Sequence, residues 1–194
     1  DNHRRELANC TYCPKLCRHA CPVSNALGHE ALIPQSKMQI LEMLRSGVLA
    51  WEEELVMPLF ACTGCKLCQQ YCEHGNDVAA TLWEGRAAAR ERGLGHPALA
   101  RLQERYRQRS EALRHKLERS PFGARLAPQA RVGYLPGFDA LDGDLGDVDD
   151  AFSVFDALGL DFVRLAEGLP PGAGYPLWAG GYHEAARFTA EELC

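Results

Sequence analysis

The stretch Cys62-Thr-Gly-Cys65-Lys-Leu-Cys68-Gln-Gln-Tyr-Cys72 spaces four cysteines as C-x2-C-x2-C-x3-C. A [4Fe–4S] cluster is held by such a run: the short loop wraps three thiolates around one cubane, and the fourth leaves on the next turn, aimed elsewhere. Upstream, Cys10-Thr-Tyr-Cys13-Pro-Lys-Leu-Cys17-Arg-His-Ala-Cys21-Pro22 repeats the theme as C-x2-C-x3-C-x3-C-P. Eight of the nine cysteines therefore fall into two quartets. The spacing implies two iron–sulfur clusters in one chain.

Spacing also decides which thiolates share a cube. In two-cluster chains the first three cysteines of a run hold one cluster and the fourth ligates the other. Applied here, Cys10, Cys13, Cys17 and Cys72 hold the first cluster, and Cys62, Cys65, Cys68 and Cys21 hold the second. The first run has one extra residue between Cys13 and Cys17, so a local bulge must bring Cys17 round. Zinc sites pair C-x2-C doublets too, but with two ligands per knuckle and seldom a third and fourth cysteine so near. The same crowding argues against disulfides, and a reducing cytoplasm is the expected location. His19 and His74, inside or beside the loops, can each donate a hydrogen bond to a cluster sulfur; the plainer reading is an ordinary part-exposed histidine. Trp51, Tyr71 and Trp83 read as core or as shielding of the clusters.

The 194 residues leave room for one large domain or two small ones, and 46% hydrophobic content suffices for a packed core. No apolar run is long enough for a membrane span, and the polar start Asp-Asn-His-Arg-Arg shows no secretory signal. A net charge of −5 argues against sequence-independent nucleic-acid binding. With no initiating Met, and an end at Cys194 straight after a helical run, the chain reads as a fragment of something longer.

Between the cysteine loops the pattern is helical. Ser36-Lys-Met-Gln39 reads as a capping box ahead of an apolar face of Met38, Ile40, Leu41 and Leu44, with Gly47 as a C-cap. Trp51 to Phe60 forms a short apolar segment broken by Pro58. After Cys72, Asn76 or Asp77 caps a helix running to about Gly93. From Pro97 a long helix carries Leu99, Leu102, Tyr106, Leu113 and Leu117 on one face. Arg101, Arg105, Arg107, Arg109, Arg114, Lys116 and Arg119 lie on the other, either a solvated face or a docking surface for an acidic partner. From residue 131 the texture changes. Val132 to Leu135 reads as a strand, Val148, Phe152, Phe155 and Leu158 as a helix face closed by Gly159, and Asp161 to Leu165 as a second strand. That is a β-α-β unit, parallel and right-handed. Pro170 to Leu177 reads as a loop and 182–193 as a helix. The carboxylates Asp139, Asp142, Asp144, Asp147, Asp149 and Asp150 miss the spacing of a calcium loop and read as solvated.

With both loops and their helical spacer in view, residues 10–93 resemble the α-helical ferredoxin domain. It is found in the cluster-bearing subunit of heterodisulfide reductase, in the iron–sulfur subunits of anaerobic glycerol-3-phosphate and glycolate oxidases, and in the C-terminal half of the succinate dehydrogenase iron–sulfur subunit. The resemblance implies two cubanes side by side, relaying electrons between a flavin or another carrier and an acceptor. Residues 131–193 more weakly resemble the start of the cysteine-rich CCG domain that often follows it. Here Pro136-Gly137-Phe138 and Gly172-Ala173-Gly174-Tyr175-Pro176-Leu177 keep the frame while Phe138, Gly172 and Ala173 replace its cysteines. Thiolate ligation is impossible there, which implies scaffold or docking surface.

The expected fold class is α+β. It comprises an all-α two-cluster domain (1–95), the basic amphipathic helix (96–120), a linker (121–130) and a partial α/β domain (131–194). No nucleophile with a base appears in residues 1–120, so no catalytic residue is assigned. The expected cofactors are two [4Fe–4S] clusters. The expected partner is a flavoprotein or other redox subunit, docked through the helix 97–119, with neither nucleic acid nor a membrane span involved. Other readings are an enzyme whose active site lies in a missing C-terminal portion, a redox-sensing or structural cluster protein, and a zinc-binding interaction module.

Overall fold

The computed structural model describes residues 3–125, 132–134, 136–160, 163–164 and 174–191. The described chain is almost entirely helical and divides into two compact units, residues 1–100 with 179–182, and residues 101–178 with 183–194.

In the first unit, α1 (Arg4–Thr11) leads into the first cysteine loop, and α2 (Pro22–Leu27) follows it. Proline suits the first turn of α2, where no N–H is needed. The central helix is α3 (Pro34–Arg45), which again opens on proline. It starts earlier than the sequence suggests: Ile33 is the N-cap and makes no side-chain cap bond, so Ser36 lies inside the helix instead of capping it. Met38, Leu41 and Leu44 recur at helical spacing and are at most 2% exposed. They pack with Leu7 of α1, with Val56 and Leu59 of α4 (Glu53–Phe60), and with Val78, Leu82 and Ala89 of α6 (Val78–Arg90). Pro58 lies inside α4, whose last turn it tolerates because the helix ends at Phe60. Between α4 and α6 runs the second cysteine loop, with a single helical turn, α5 (Leu67–Gln70). Asp77 caps α6 by accepting the Ala80 amide at 3.0 Å. At Gly85 α6 closes on α3 so tightly that a Cβ would lie 2.8 Å from a Leu41 methyl.

The second unit is built on α7 (Leu102–Glu118), whose Leu113 and Leu117 are buried against Leu141 of α8 (Phe138–Asp142) and Val148 and Phe152 of α9 (Gly146–Ala157). Phe122 stacks on Phe152 with ring centres 5.2 Å apart, and Tyr134 meets Phe152 edge-on at 5.9 Å. The strands are smaller than expected. β1 is Val132–Gly133 and β2 is Val163–Arg164, paired parallel with Val132 opposite Val163. Tyr134 lies outside β1, and Leu135, Asp161, Phe162 and Leu165 lie outside the described residues. The described sheet is thus two strands of two residues, with α8 and α9 between them in chain order. Tyr175-Pro-Leu177, expected as loop, is helical in α10 (Tyr175–Ala179), and α11 (His183–Glu191) follows.

Candidate metal centre

Both cysteine loops turn on the same local device. Lys15 and Lys66, each followed by Leu-Cys, adopt left-handed backbone with φ of 66° and 58°. That conformation disfavours a residue with a Cβ by roughly 1–2 kcal/mol, and the chain accepts it twice, in each case within a cysteine run. In the first loop this turn absorbs the additional residue ahead of Cys17. Lys66 is further tied to Asp77 by an Nζ–Oδ2 bond of 2.7 Å.

The eight loop thiols are all free; Cys10 and Cys21 are buried and Cys65 is exposed. Cys21, Cys62, Cys65 and Cys68 line one cavity of about 370 Å³, part of it open to solvent. The last cysteine of the first run thereby joins the first three of the second. On the other side, burial chiefly pushes the Cys10 thiol up to about 11. Cys17, Cys72 and Cys13 lie near enough to add to the rise, and a hydrogen bond from Asn76 opposes it. Cys17 is raised likewise, by burial first and then by Cys13, with a smaller effect of Cys72. Burial pushes Cys68 to about 12, and its largest electrostatic neighbour is Cys17, ahead of Cys62, Cys65 and Cys21. The two thiol sets therefore abut at Cys17 and Cys68.

The donor set and the space suit cubanes better than single ions. A tetrahedral zinc with bonds of ~2.3 Å draws its sulfurs to within ~3.8 Å of one another. Among the described residues no three His, Cys, Asp or Glu side chains gather in that way; the thiols ring a cavity instead. Ligation requires thiolates, and the raised Cys10 and Cys68 groups give up their protons only against the positive charge of iron.

Polar contacts to the sulfurs come from residues with no place in the cysteine motifs. The Asn76 Nδ2 donates to Cys10 Sγ at 3.3 Å and to the Glu6 carbonyl at 3.2 Å. The Lys37 Nζ donates to Cys21 Sγ at 3.8 Å and to the Ala61 carbonyl at 2.6 Å. Arg86, buried in α6, holds the backbone of the second loop through the Leu59 and Cys62 carbonyls at 2.9 and 2.6 Å. His19 stands edge-on to Tyr71, ring centres 4.6 Å apart, and its backbone carbonyl accepts from Asn25. His74 is exposed. Trp83 is buried and Trp51 packs on the core, whereas Tyr71 is 50% exposed and belongs to the surface.

Residues 6–76 match the family model of the 4Fe-4S dicluster domain. The span is well under half of the chain, but it encloses both cysteine quartets together with Lys37 and Asn76. No curated protein and no solved structure matches the chain. The matched span is an iron–sulfur, ferredoxin-like domain, and its chemistry is iron–sulfur electron transfer.

Proposed function

We propose that this chain is an electron-transfer subunit or domain that relays single electrons through two [4Fe–4S] clusters within a heterodisulfide-reductase-like or flavin-linked oxidoreductase. Cys10, Cys13, Cys17 and Cys72 hold one cluster and Cys62, Cys65, Cys68 and Cys21 the other. Each cluster, when bound, takes up and gives back one electron at a time. The observation that carries the reading is the approach of Cys17 to Cys68, which puts a ligand of each set at a common boundary. Cys65 and Tyr71 leave the second loop exposed at an edge a redox partner can reach.

The second unit is scaffold in this reading. Phe138, standing where the resembling family has a cysteine, packs edge-on to Tyr106 at 5.2 Å with the Arg109 guanidinium over its ring. The basic face of α7 is a narrower docking candidate than its composition suggests. Arg107 pairs with Glu104 and Glu111, Arg109 with Asp142, and Arg114 with Glu118. Arg101 and Arg119 remain the cations to offer an acidic, flavin-bearing partner.

The anaerobically purified protein, reduced by dithionite-treated viologen, should be reoxidised by free flavin mononucleotide, with bleaching and recovery of its visible absorbance. Protein that contains iron and sulfide yet exchanges electrons with neither reagent would be a structural cluster protein.

A further inference from the structure

Two charged side chains are buried in the described chain, Lys37 at 1% exposure and Arg86 at 5%, and both anchor on the second cysteine loop. Lys37 reaches Cys21 Sγ and the carbonyl of Ala61, one residue before Cys62. Arg86 takes the carbonyl of Cys62 itself. No carboxylate pairs with Lys37 among the described residues. An ammonium withdrawn from water needs a compensating negative charge, and the charge within its reach is thiolate sulfur. The first set has no counterpart among the described residues. Its buried donor is the neutral Asn76, and the cations of its loop, Lys15 and Arg18, are part-exposed and committed to Glu30 at 3.3 and 2.7 Å.

A buried positive charge stabilises added negative charge far more than an exposed one does, because little solvent screens it. We propose that Lys37, supported by Arg86, polarises the relay by raising the reduction potential at the Cys21, Cys62, Cys65 and Cys68 site above that at the Cys10, Cys13, Cys17 and Cys72 site. Lys37 is a positioning and tuning residue; it takes no part in ligation. An electron supplied by a one-electron reductant then settles on the second site: the first is oxidised by one electron, the second is reduced by one, and no bond changes. The inference rests on the two-cluster reading above.

The test is an EPR-monitored redox titration of the iron-loaded chain, with iron and sulfide measured on every sample. In K37M, which removes the charge at similar volume, the upper of the two midpoints falls by at least one tenfold change in the reduction equilibrium, ~59 mV for one electron. The lower midpoint stays, and Lys37→Arg restores the upper one. Should K37M fail to assemble, Lys37→Gln removes the charge while keeping a donor for the Ala61 carbonyl, and the same fall is expected. Unmoved midpoints with full iron, or a fall of the lower one alone, overturn the proposal. Wild-type protein with less than two clusters' iron overturns the reading beneath it as well.

Discussion

Asp77 shows how one residue serves both local structure and the cysteine loop. Its carboxylate caps α6 and holds Lys66, the left-handed residue between Cys65 and Cys68. Burial alone would raise this carboxyl; the Lys66 hydrogen bond and the Ala80 amide outweigh it and hold it below its ordinary value. A carboxylate depressed in the folded state contributes stability above its unfolded value, about 3.9, and loses it as pH falls through the folded one. Asp77→Asn retains a capping side chain but loses the ion pair, at a cost of about 0.2–1 kcal/mol near neutrality given the exposure of Lys66. The melting-temperature gap between wild type and variant should therefore close as pH drops from 6 to 3. A gap independent of pH would remove the ion pair from the account. At this scale the sequence was informative only where the code is local. Eight ligands announce themselves because a cluster loop is short. Lys37 and Asn76 meet their cysteines across 16 and 66 positions, and no spacing rule joins such residues. One signal was available: Lys37 lies a turn before Leu41 on the buried side of α3, where a lysine is anomalous.

At the scale of elements, the apolar periodicity of α3 and α6 was legible and the start of α3 was not. Pro34 starts the helix by fixing φ, and that overrides the hydrogen-bonding preference of Ser36. The contact between these helices is tight because Gly85 presents no side chain to Leu41, which is fully buried. Gly85→Val should overpack this crossing and destabilise the first unit by about 1–3 kcal/mol, read as a lowered melting temperature of the loaded protein. Unchanged or higher stability would mean that α3 and α6 have slack between them. The strands were harder to foresee. Their apolar runs suggest four or five residues each, whereas the described ladder joins two residues of each strand. Much of the aromatic burial in this unit goes instead to helix packing: Phe152 meets Phe122, Tyr134 and Phe155 in an aromatic cluster beside α7. Many of the charges on α7 are likewise answered from within the chain, by Glu104, Glu111 and Glu118 on the helix and by Asp142 beyond it. Composition shows such a face but not its partners.

For the molecule as a whole, all eight thiols, their polar contacts and the larger apolar core lie in the first unit. The fold draws Cys21 out of its own run to the cavity of Cys62, Cys65 and Cys68, and brings Cys72 near Cys10 and Cys17. Exchange of the fourth cysteine ties the two loops into one electron-carrying body. The most direct test of that claim is iron and acid-labile sulfide per chain on anaerobically purified protein, with the EPR spectrum of the dithionite-reduced sample. The account predicts about eight irons and eight sulfides per chain, with the broadened signal of two interacting clusters. About four irons with a simple isolated signal, or zinc without sulfide, would contradict it.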